Sequence, residues 1–204
     1  MAHCGIFYQA PSWKDEDFFA FQVLQRLSGD YIPERDSLIN HPHLQYNHLH
    51  THLGEIEDLG VHKSYYLPYG DVGLYGHFGS SLDMSAFWFP HACLKATRRY
   101  TSYVMDSELY RARNKYYNEL LDQDYSLKGL ADEIGNQMLY AGRRVHRSEI
   151  AKRVSLMDNR FLEKTYAKWL WDCELALTFY GPIFLQIRTY GIWRGYTNNT
   201  NQIW

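Results

Sequence analysis

The sequence predicts an α+β domain in which helices pack on one face of an antiparallel or mixed sheet. Three observations predict this class. Two strand-like runs meet at a turn around residues 69–71, helical patterns with capping residues fill most of 84–171, and short alternating runs lie near both ends. The 204 residues suffice for one sizeable core. We therefore expect a single domain over residues 1–204, with 183–204 as a C-terminal extension.

The chain is predicted to open with a strand and a helix. The run "HCGIFYQAP" alternates loosely and ends at Pro11, which is typical of a strand. Ser12 and Asp15 match a capping box, and the apolar residues after them recur at helical spacing until Gly29. A second helix, from Leu44 to Asp58, would carry His48 and His52 on one side.

The middle of the chain predicts a hairpin and then a helix. The runs "VHKSYYLP" and "VGLYGHFG" are strand-like, and Tyr69, Gly70 and Asp71 between them are typical of a turn. The apolar spacing from Met84 to Tyr100 predicts a helix, which Pro90 would kink or interrupt.

Two longer helices are predicted next. Asp106 would cap the first, whose shared face consists of Leu109, Ala112, Tyr116 and Leu120. Ser126 would cap the second, and Gly142 would close it in the left-handed conformation, with Arg143 and Arg144 at its negative dipole end. The apolar face of this second helix consists of Leu127, Leu130, Ile134, Met138 and Ala141.

Gly135 lies inside this second helix. An interior glycine costs about 1 kcal/mol relative to alanine. We therefore expect a neighbouring element to pack closely against it.

Short helices at 147–155 and 159–171 and a closing strand complete the predicted order. Asp158 would cap the second short helix. Alternating Leu175, Leu177 and Phe179 predict the strand, which Gly181 and Pro182 would end.

The composition excludes some functions. Acidic and basic residues nearly cancel, for a net charge of -2, and the basic residues are spread out, which argues against nucleic-acid binding. No run approaches the roughly 18 to 20 apolar residues of a membrane span. The three cysteines show no disulfide or zinc-ribbon spacing and favour a reducing compartment. The 18 tyrosines fit either a permanent interface or a lineage bias.

No catalytic or metal site is evident in the residues themselves. His52 and Glu55 begin an H-x-x-E-H zinc motif, but Ile56 stands where the second histidine is needed. His48 and His52, at i and i+4, could share a metal, although an incidental pair on a polar flank is the favoured interpretation. No phosphate loop or nucleophile signature appears. We expect no catalytic residue, metal or cofactor on this chain.

One long segment resembles a known family. It runs "ELYRARNKYYNELLDQDYSLKGLADEIGNQMLYAGRRVHRSEIAKRV", and it is similar to the C-terminal half of the pitrilysin-type zinc metallopeptidases. Within that family it most resembles the subgroup of processing-peptidase beta subunits and first core proteins of respiratory complex III. "YYLPYGDVGLYG" resembles the hairpin of the same domain, "MAHCGIFYQAPSW" its opening strand and "YGPI" its closing strand.

The resemblance implies an α+β domain, one of two homologous halves that face each other across a cavity. It implies possible substrate or partner contacts at Tyr65 and Tyr69. It also assigns a structural role to a set of motif residues, which are Gly73, Gly76, Gly135, Gly142, Arg143 and Arg144.

The sequence departs from the family pattern at the residues that bind zinc or assist substrate binding. The family's H-x-x-E-H lies in the N-terminal homologous domain and is absent from this sequence. An arginine and a tyrosine that assist many family peptidases correspond to Leu53 and Gly60, and Asn136 replaces the arginine of the G-R-Q segment. The resemblance therefore implies a domain with no catalytic residue of its own.

These implications give one leading functional expectation and two alternatives. The first is a non-catalytic core subunit of mitochondrial ubiquinol-cytochrome c reductase on the matrix side. Its partners would be an alpha-type core subunit, an N-terminal beta-type half and the membrane subunits. The second is the presequence-binding half of a split processing peptidase whose zinc lies on another chain. The third is a degenerate peptidase-like scaffold in another mitochondrial assembly.

Overall fold

A computed structural model describes residues 1–36, 48–56, 59–81, 88–122, 126–181 and 190–198. Strands and helices follow in the predicted α+β order. The strands are β1 (Ala2–Ala10), β2 (Leu59–Pro68), β3 (Gly73–Ser81) and β4 (Leu175–Tyr180). The helices are α1 (Phe18–Ser28), α2 (Pro33–Asp36), α3 (His48–Gly54), α4 (Trp88–Tyr100), α5 (Asp106–Asp122), α6 (Leu127–Ala141), α7 (Arg147–Ser155), α8 (Asn159–Leu170) and α9 (Tyr190–Arg194).

The four strands form one antiparallel sheet in the order β2-β3-β1-β4. β2 and β3 form the predicted hairpin, with Tyr66 opposite Tyr75. β1 lies between β3 and β4, so the first and last strands of the chain are neighbours.

Alternation along the strands gives the sheet two different faces. The face covered by helices carries buried side chains from every strand, including Ile6, Tyr66, Tyr75 and Leu175. Helix α1 contacts β2, while α4 and α8 contact β1. The described helices therefore pack on one face, as the sequence predicts, and the opposite face carries exposed side chains, including Phe78 and Tyr180.

Helices α1 and α5 form a second layer of the core. Val23 and Leu24 of α1 are fully buried. Arg26 places its guanidinium 4.1 Å from the centroid of the Tyr116 ring and 2.6 Å from a carboxylate oxygen of Glu119. The predicted apolar face of α5 is buried throughout, at Leu109, Ala112, Tyr116 and Leu120.

Three helix starts differ from or refine the prediction. The Ser12 amide donates to Asp15 Oδ2 at 2.6 Å, but α1 begins only at Phe18. The predicted helix from Leu44 to Asp58 is observed only as α3, which ends at Gly54, and 44–47 and 57–58 lie outside the described residues. The predicted helix from Met84 to Tyr100 is observed as α4, with 84–87 outside the described residues. Pro90 lies in the first turn of α4, where its missing N–H costs little, and it does not interrupt the helix.

The later elements match their predicted boundaries closely. Asp158 caps α8, since its Oδ1 accepts from the Phe161 amide at 2.8 Å. In the C-terminal extension, α9 buries Trp193 in the main core, and the Thr197 carbonyl accepts from the Asp172 amide. Within the described ranges, none of the helices has the length and apolar character needed to cross a bilayer.

Candidate functional site

The face of the sheet away from the buried core carries several exposed or half-buried aromatic and apolar side chains. We call it the open face, and it consists of His3, Phe7, Tyr65, Leu67, Phe78 and Tyr180. The His3 ring stacks on the rings of Phe78 and Tyr180, with centroid separations of 6.0 and 6.3 Å. The three rings form an aromatic ladder across three strands. Tyr180 is 77% exposed and Leu67 42%. Aromatic rings held this way are typical of a protein interface.

The two predicted contact tyrosines lie at this face and at its edge. Tyr65 projects from β2 beside Phe7, with only Gly76 between them in the register. Tyr69 lies in the hairpin turn and is exposed, while its backbone carbonyl accepts from the Trp13 amide. The structure therefore leaves both rings accessible, and their role as contacts stays a prediction.

Two of the predicted motif glycines have steric reasons. A Cβ on Gly73 would lie 2.0 Å from the Pro11 carbonyl oxygen, and one on Gly76 would lie 2.2 Å from the Ile6 carbonyl oxygen. Either clash would push β1 away from β3. These glycines keep the two strands paired.

Gly142 has the conformation predicted for it. Its φ of 65° lies in the left-handed region, and its N–H donates to the Met138 carbonyl. At the other end of α6, Ser126 Oγ accepts from the Gly129 amide at 2.9 Å. Both ends of α6 are therefore set by local sequence.

The prediction of close packing against Gly135 is wrong within the described structure. No atom lies within 4 Å of a Cβ built at Gly135, and α6 has no buried residue. Along the predicted apolar face, Ile134 is only half-buried and Met138 is 52% exposed.

Helix α6 instead turns a polar and aromatic edge towards the domain. Glu133 forms an ion pair with Arg147 at 2.8 Å, and Gln137 Oε1 accepts from the Val145 amide at 2.9 Å. One turn further on, Tyr140 stacks on Trp13 at 4.3 Å. These contacts hold the helix while Leu127, Met138 and Leu139 face outward, 88%, 52% and 73% exposed. We call this outward side, which consists of Leu127, Gly135, Met138 and Leu139, the α6 face.

The two arginines after Gly142 lie at the surface. Arg143 forms a bidentate ion pair with Glu149, with N···O distances of 2.7 and 2.9 Å, and so ties the end of α6 to α7. This pairing and Arg153 lower the pKa of Glu149 to about 2. Arg144 is exposed.

His48 and His52 share one side of α3, as predicted. Their ring centroids are 4.5 Å apart, and His52 Nδ1 lies 3.5 Å from Glu55 Oε2. Desolvation and the nearby Arg99 lower the pKa of His48 to about 4. The third histidine of α3, His50, is buried against Tyr31.

Sequence analysis missed a buried polar group beneath the sheet. We call it the buried cluster, and it consists of His62 on β2, His77 on β3 and Cys93 on α4. Burial lowers the pKa of His77 to about 3, lowers that of His62 and raises that of the Cys93 thiol. The three residues come from three elements, so no local spacing signals them.

Comparisons with known proteins agree with the resemblance. No protein family profile matches the chain. A probable mitochondrial-processing peptidase subunit beta of Arabidopsis thaliana is 24% identical over 90% of this chain and 34% of its own length. The mitochondrial-processing peptidase subunit beta of Neurospora crassa is 27% identical over 89% of this chain and 38% of its own length. The Homo sapiens subunit beta is 25% identical over 95% of this chain and 40% of its own length.

A solved structure shares the fold. A chain in a structure described as complex III2 from Candida albicans, with Inz-5 bound, superimposes with a TM-score of 0.85 at 16% identity, over 97% of this chain and 46% of that one. The chain thus spans less than half the length of each of these proteins. It is a distant homologue of the mitochondrial processing peptidase beta subunits, with an α+β fold that also occurs in a complex III structure.

Proposed function

We propose that this chain is a non-catalytic core subunit of mitochondrial ubiquinol-cytochrome c reductase, on the matrix side of the inner membrane. The observation that carries the proposal is the pair of outward apolar surfaces, the open face and the α6 face. A domain that covers only part of its relatives and turns two such surfaces outward fits a larger assembly.

The open face is suited to a homologous half. Its ladder of His3, Phe78 and Tyr180 lies across three strands, and on the fourth strand Tyr65 lies on the same face, opposite Gly76. An interface of this kind buries large rings at little conformational cost. We assign this surface to an N-terminal beta-type half, across the family's cavity.

The α6 face is suited to another subunit. Gly135 leaves room for close approach, and Met138 and Leu139 supply apolar area beside it. A glycine that lowers helix stability and has no contact with the described part of the chain is explained if a partner packs there. An alpha-type core subunit is the partner that we assign to it.

The alternative with specific support is a split processing peptidase. The named relatives above are processing peptidase beta subunits, and the open face could hold an extended presequence. In that case a separate chain carries H-x-x-E-H, and presequence cleavage stops when this chain is removed. A scaffold in another mitochondrial assembly would show neither haem nor peptidase activity.

The first test separates mitochondrial membranes on a native gel in mild detergent and follows this chain by mass spectrometry, with b- and c-type haem and zinc measured in each band. We expect co-migration with both haems. Migration with a soluble zinc-containing partner and no haem would assign the chain to the peptidase instead. Migration with neither haem nor a zinc-containing partner would support the third alternative, a scaffold in another mitochondrial assembly.

Site-specific crosslinking then tests the two surfaces. A photoreactive amino acid replaces Phe78 on the open face or Leu139 on the α6 face, and Tyr110 on α5, which is 66% exposed, provides the matched control. We expect crosslinks to core subunits from positions 78 and 139 and few from position 110. Equal yields from all three positions would contradict the assignment of these surfaces.

A further inference from the structure

We propose that the buried cluster is a metal site, in which His62, His77 and Cys93 hold a cuprous ion through two imidazole nitrogens and one thiolate. All three residues are fully buried, and their donor atoms lie within 4.8 Å of one another. The site is separate from the zinc chemistry of the peptidase family and from the proposed interfaces. It lies in the core of this chain alone.

The backbone brings the three donors together from different elements. Ser64 on β2 is opposite His77 on β3, and His62 is opposite Gly79, so the two histidines are diagonal neighbours on the core face. Helix α4 packs over β3 and β1 and adds Cys93 from above. Three rigid elements therefore fix the donors before any ion arrives.

The nitrogens are already close to the spacing of metal ligands. His62 Nε2 lies 3.0 Å from His77 Nδ1. Metal–nitrogen bonds of about 2.0 Å at ordinary ligand angles place two nitrogens roughly 3.3 Å apart. The two nitrogens would therefore have to separate by a few tenths of an ångström to share one ion.

The other nitrogen of His77 is held as metal-binding histidines usually are. His77 Nε2 lies 3.2 Å from Tyr75 Oη and 3.2 Å from Thr97 Oγ1. Tyr75 Oη is in turn 2.6 Å from Ser28 Oγ. Such outer hydrogen bonds set the ring orientation and tautomer of a metal ligand and leave Nδ1 free to bind.

A simple hydrogen-bonded pair explains the cluster less well. The two facing nitrogens can share one proton, which occupies His62 Nε2 and His77 Nδ1. That pair gives no role to Cys93 Sγ, which lies within 4.8 Å of a donor nitrogen of each histidine. A single ion would use all three donors at once.

Charge and donor number favour a cuprous ion over zinc. On binding, the Cys93 S–H bond breaks, the proton leaves to solvent, and the sulfur bonds to the ion, while both histidines stay neutral and no electron is transferred. One thiolate and one monovalent cation leave no net charge in a site without water. A zinc ion with the same thiolate would leave one uncompensated positive charge there. Soft thiolate donors also select cuprous copper, and two histidines with one cysteine are a known copper ligand set.

The test loads the purified 204-residue chain anaerobically with a cuprous acetonitrile complex, or with zinc, and measures bound metal after gel filtration. We expect about one copper per chain and a raised melting temperature. Cys93→Ser and His77→Gln should each lower the copper content at least tenfold. Cys173→Ser, which removes a half-buried thiol outside the cluster, should leave the copper content unchanged.

Because substitutions in the core can unfold the chain, the wild type supplies an independent measurement. X-ray absorption of its bound copper should show one sulfur and two imidazole scatterers. No stoichiometric copper in the wild type, or equal losses in Cys173→Ser and Cys93→Ser, would overturn the proposal. Cluster-dependent zinc without copper would overturn the identity of the ion and the charge argument.

Discussion

Helices α5 and α6 have the same kind of amphipathic pattern and opposite environments. In α5 the apolar face is buried, from Leu109 to Leu120, against α1 and α7. In α6 no residue is buried, and Leu127 and Leu139 are among the most exposed apolar residues of the described chain. Periodicity therefore predicts that an apolar face exists. It does not predict whether this chain or another one covers the face.

The largest expected effect separates the two helices directly. Leu109→Ala in α5 should lower the free energy of unfolding by about 2 to 5 kcal/mol. The Leu109 side chain is only 3% exposed, so its removal leaves a cavity in the core. The matched Leu139→Ala in α6 should change the free energy of unfolding by less than about 0.5 kcal/mol. Urea unfolding of both variants measures the contrast. Equal losses would mean that α6 packs inward in solution.

The N-cap of α6 tests how far that helix depends on itself. Ser126→Ala removes the acceptor of the Gly129 amide and should cost about 1 kcal/mol of helix stability. Hydrogen exchange of the α6 amides should rise while that of α5 stays unchanged. If protection falls in both helices, α6 is more strongly coupled to the core than its contacts indicate.

Gly135→Ala should act in the opposite direction in the isolated chain. Among the described residues no atom lies within 4 Å of the added methyl group, so the gain in helix propensity should stabilise the chain by up to about 1 kcal/mol. In the native assembly the same methyl group should weaken the association, because it fills the space of a close partner. Thermal melting and native-gel recovery give the two results. A loss of stability in the isolated chain would contradict the open surroundings of Gly135.

The smallest effect concerns pH. Since the folded-state pKa of His48 is depressed to about 4, from an unfolded value near 6.5, the unfolded chain binds the proton first as pH falls. The stability that His48 contributes should therefore be present above pH 6.5 and be lost between about pH 6.5 and 4. An NMR titration of the His48 ring measures its pKa, and a midpoint near 6.5 would refute this prediction. Gln in place of His48 should remove this part of the pH dependence.

Much of the fold was predictable because its signals are local. The Ser126 and Asp158 caps, the left-handed Gly142 and the turn at Tyr69 each depend on a few adjacent residues, and each is observed. The buried face of α5 also followed from spacing alone.

Features that depend on distant contacts were not predictable. Helix α1 starts at Phe18 rather than after Ser12, and the Asp17 carboxylate before it accepts from Trp169 Nε1 at 2.8 Å, far along the chain. The buried cluster depends on strand register and on the position of α4, neither of which a motif records. The outward direction of α6 depends on Trp13, which is distant in sequence from its partner Tyr140.

The pairing of β1 with β4 has a consequence for how the chain folds. His3 is opposite Tyr180, so the sheet cannot be completed until almost the whole described chain is available. Contacts between residues so far apart in sequence raise the contact order and slow folding, because loop closure precedes the stabilising contact. Until β4 arrives, β1 presents an unpaired edge that could bind another strand. During synthesis, the β1 edge therefore stays available to other strands until residues 175–180 are free to pair with it.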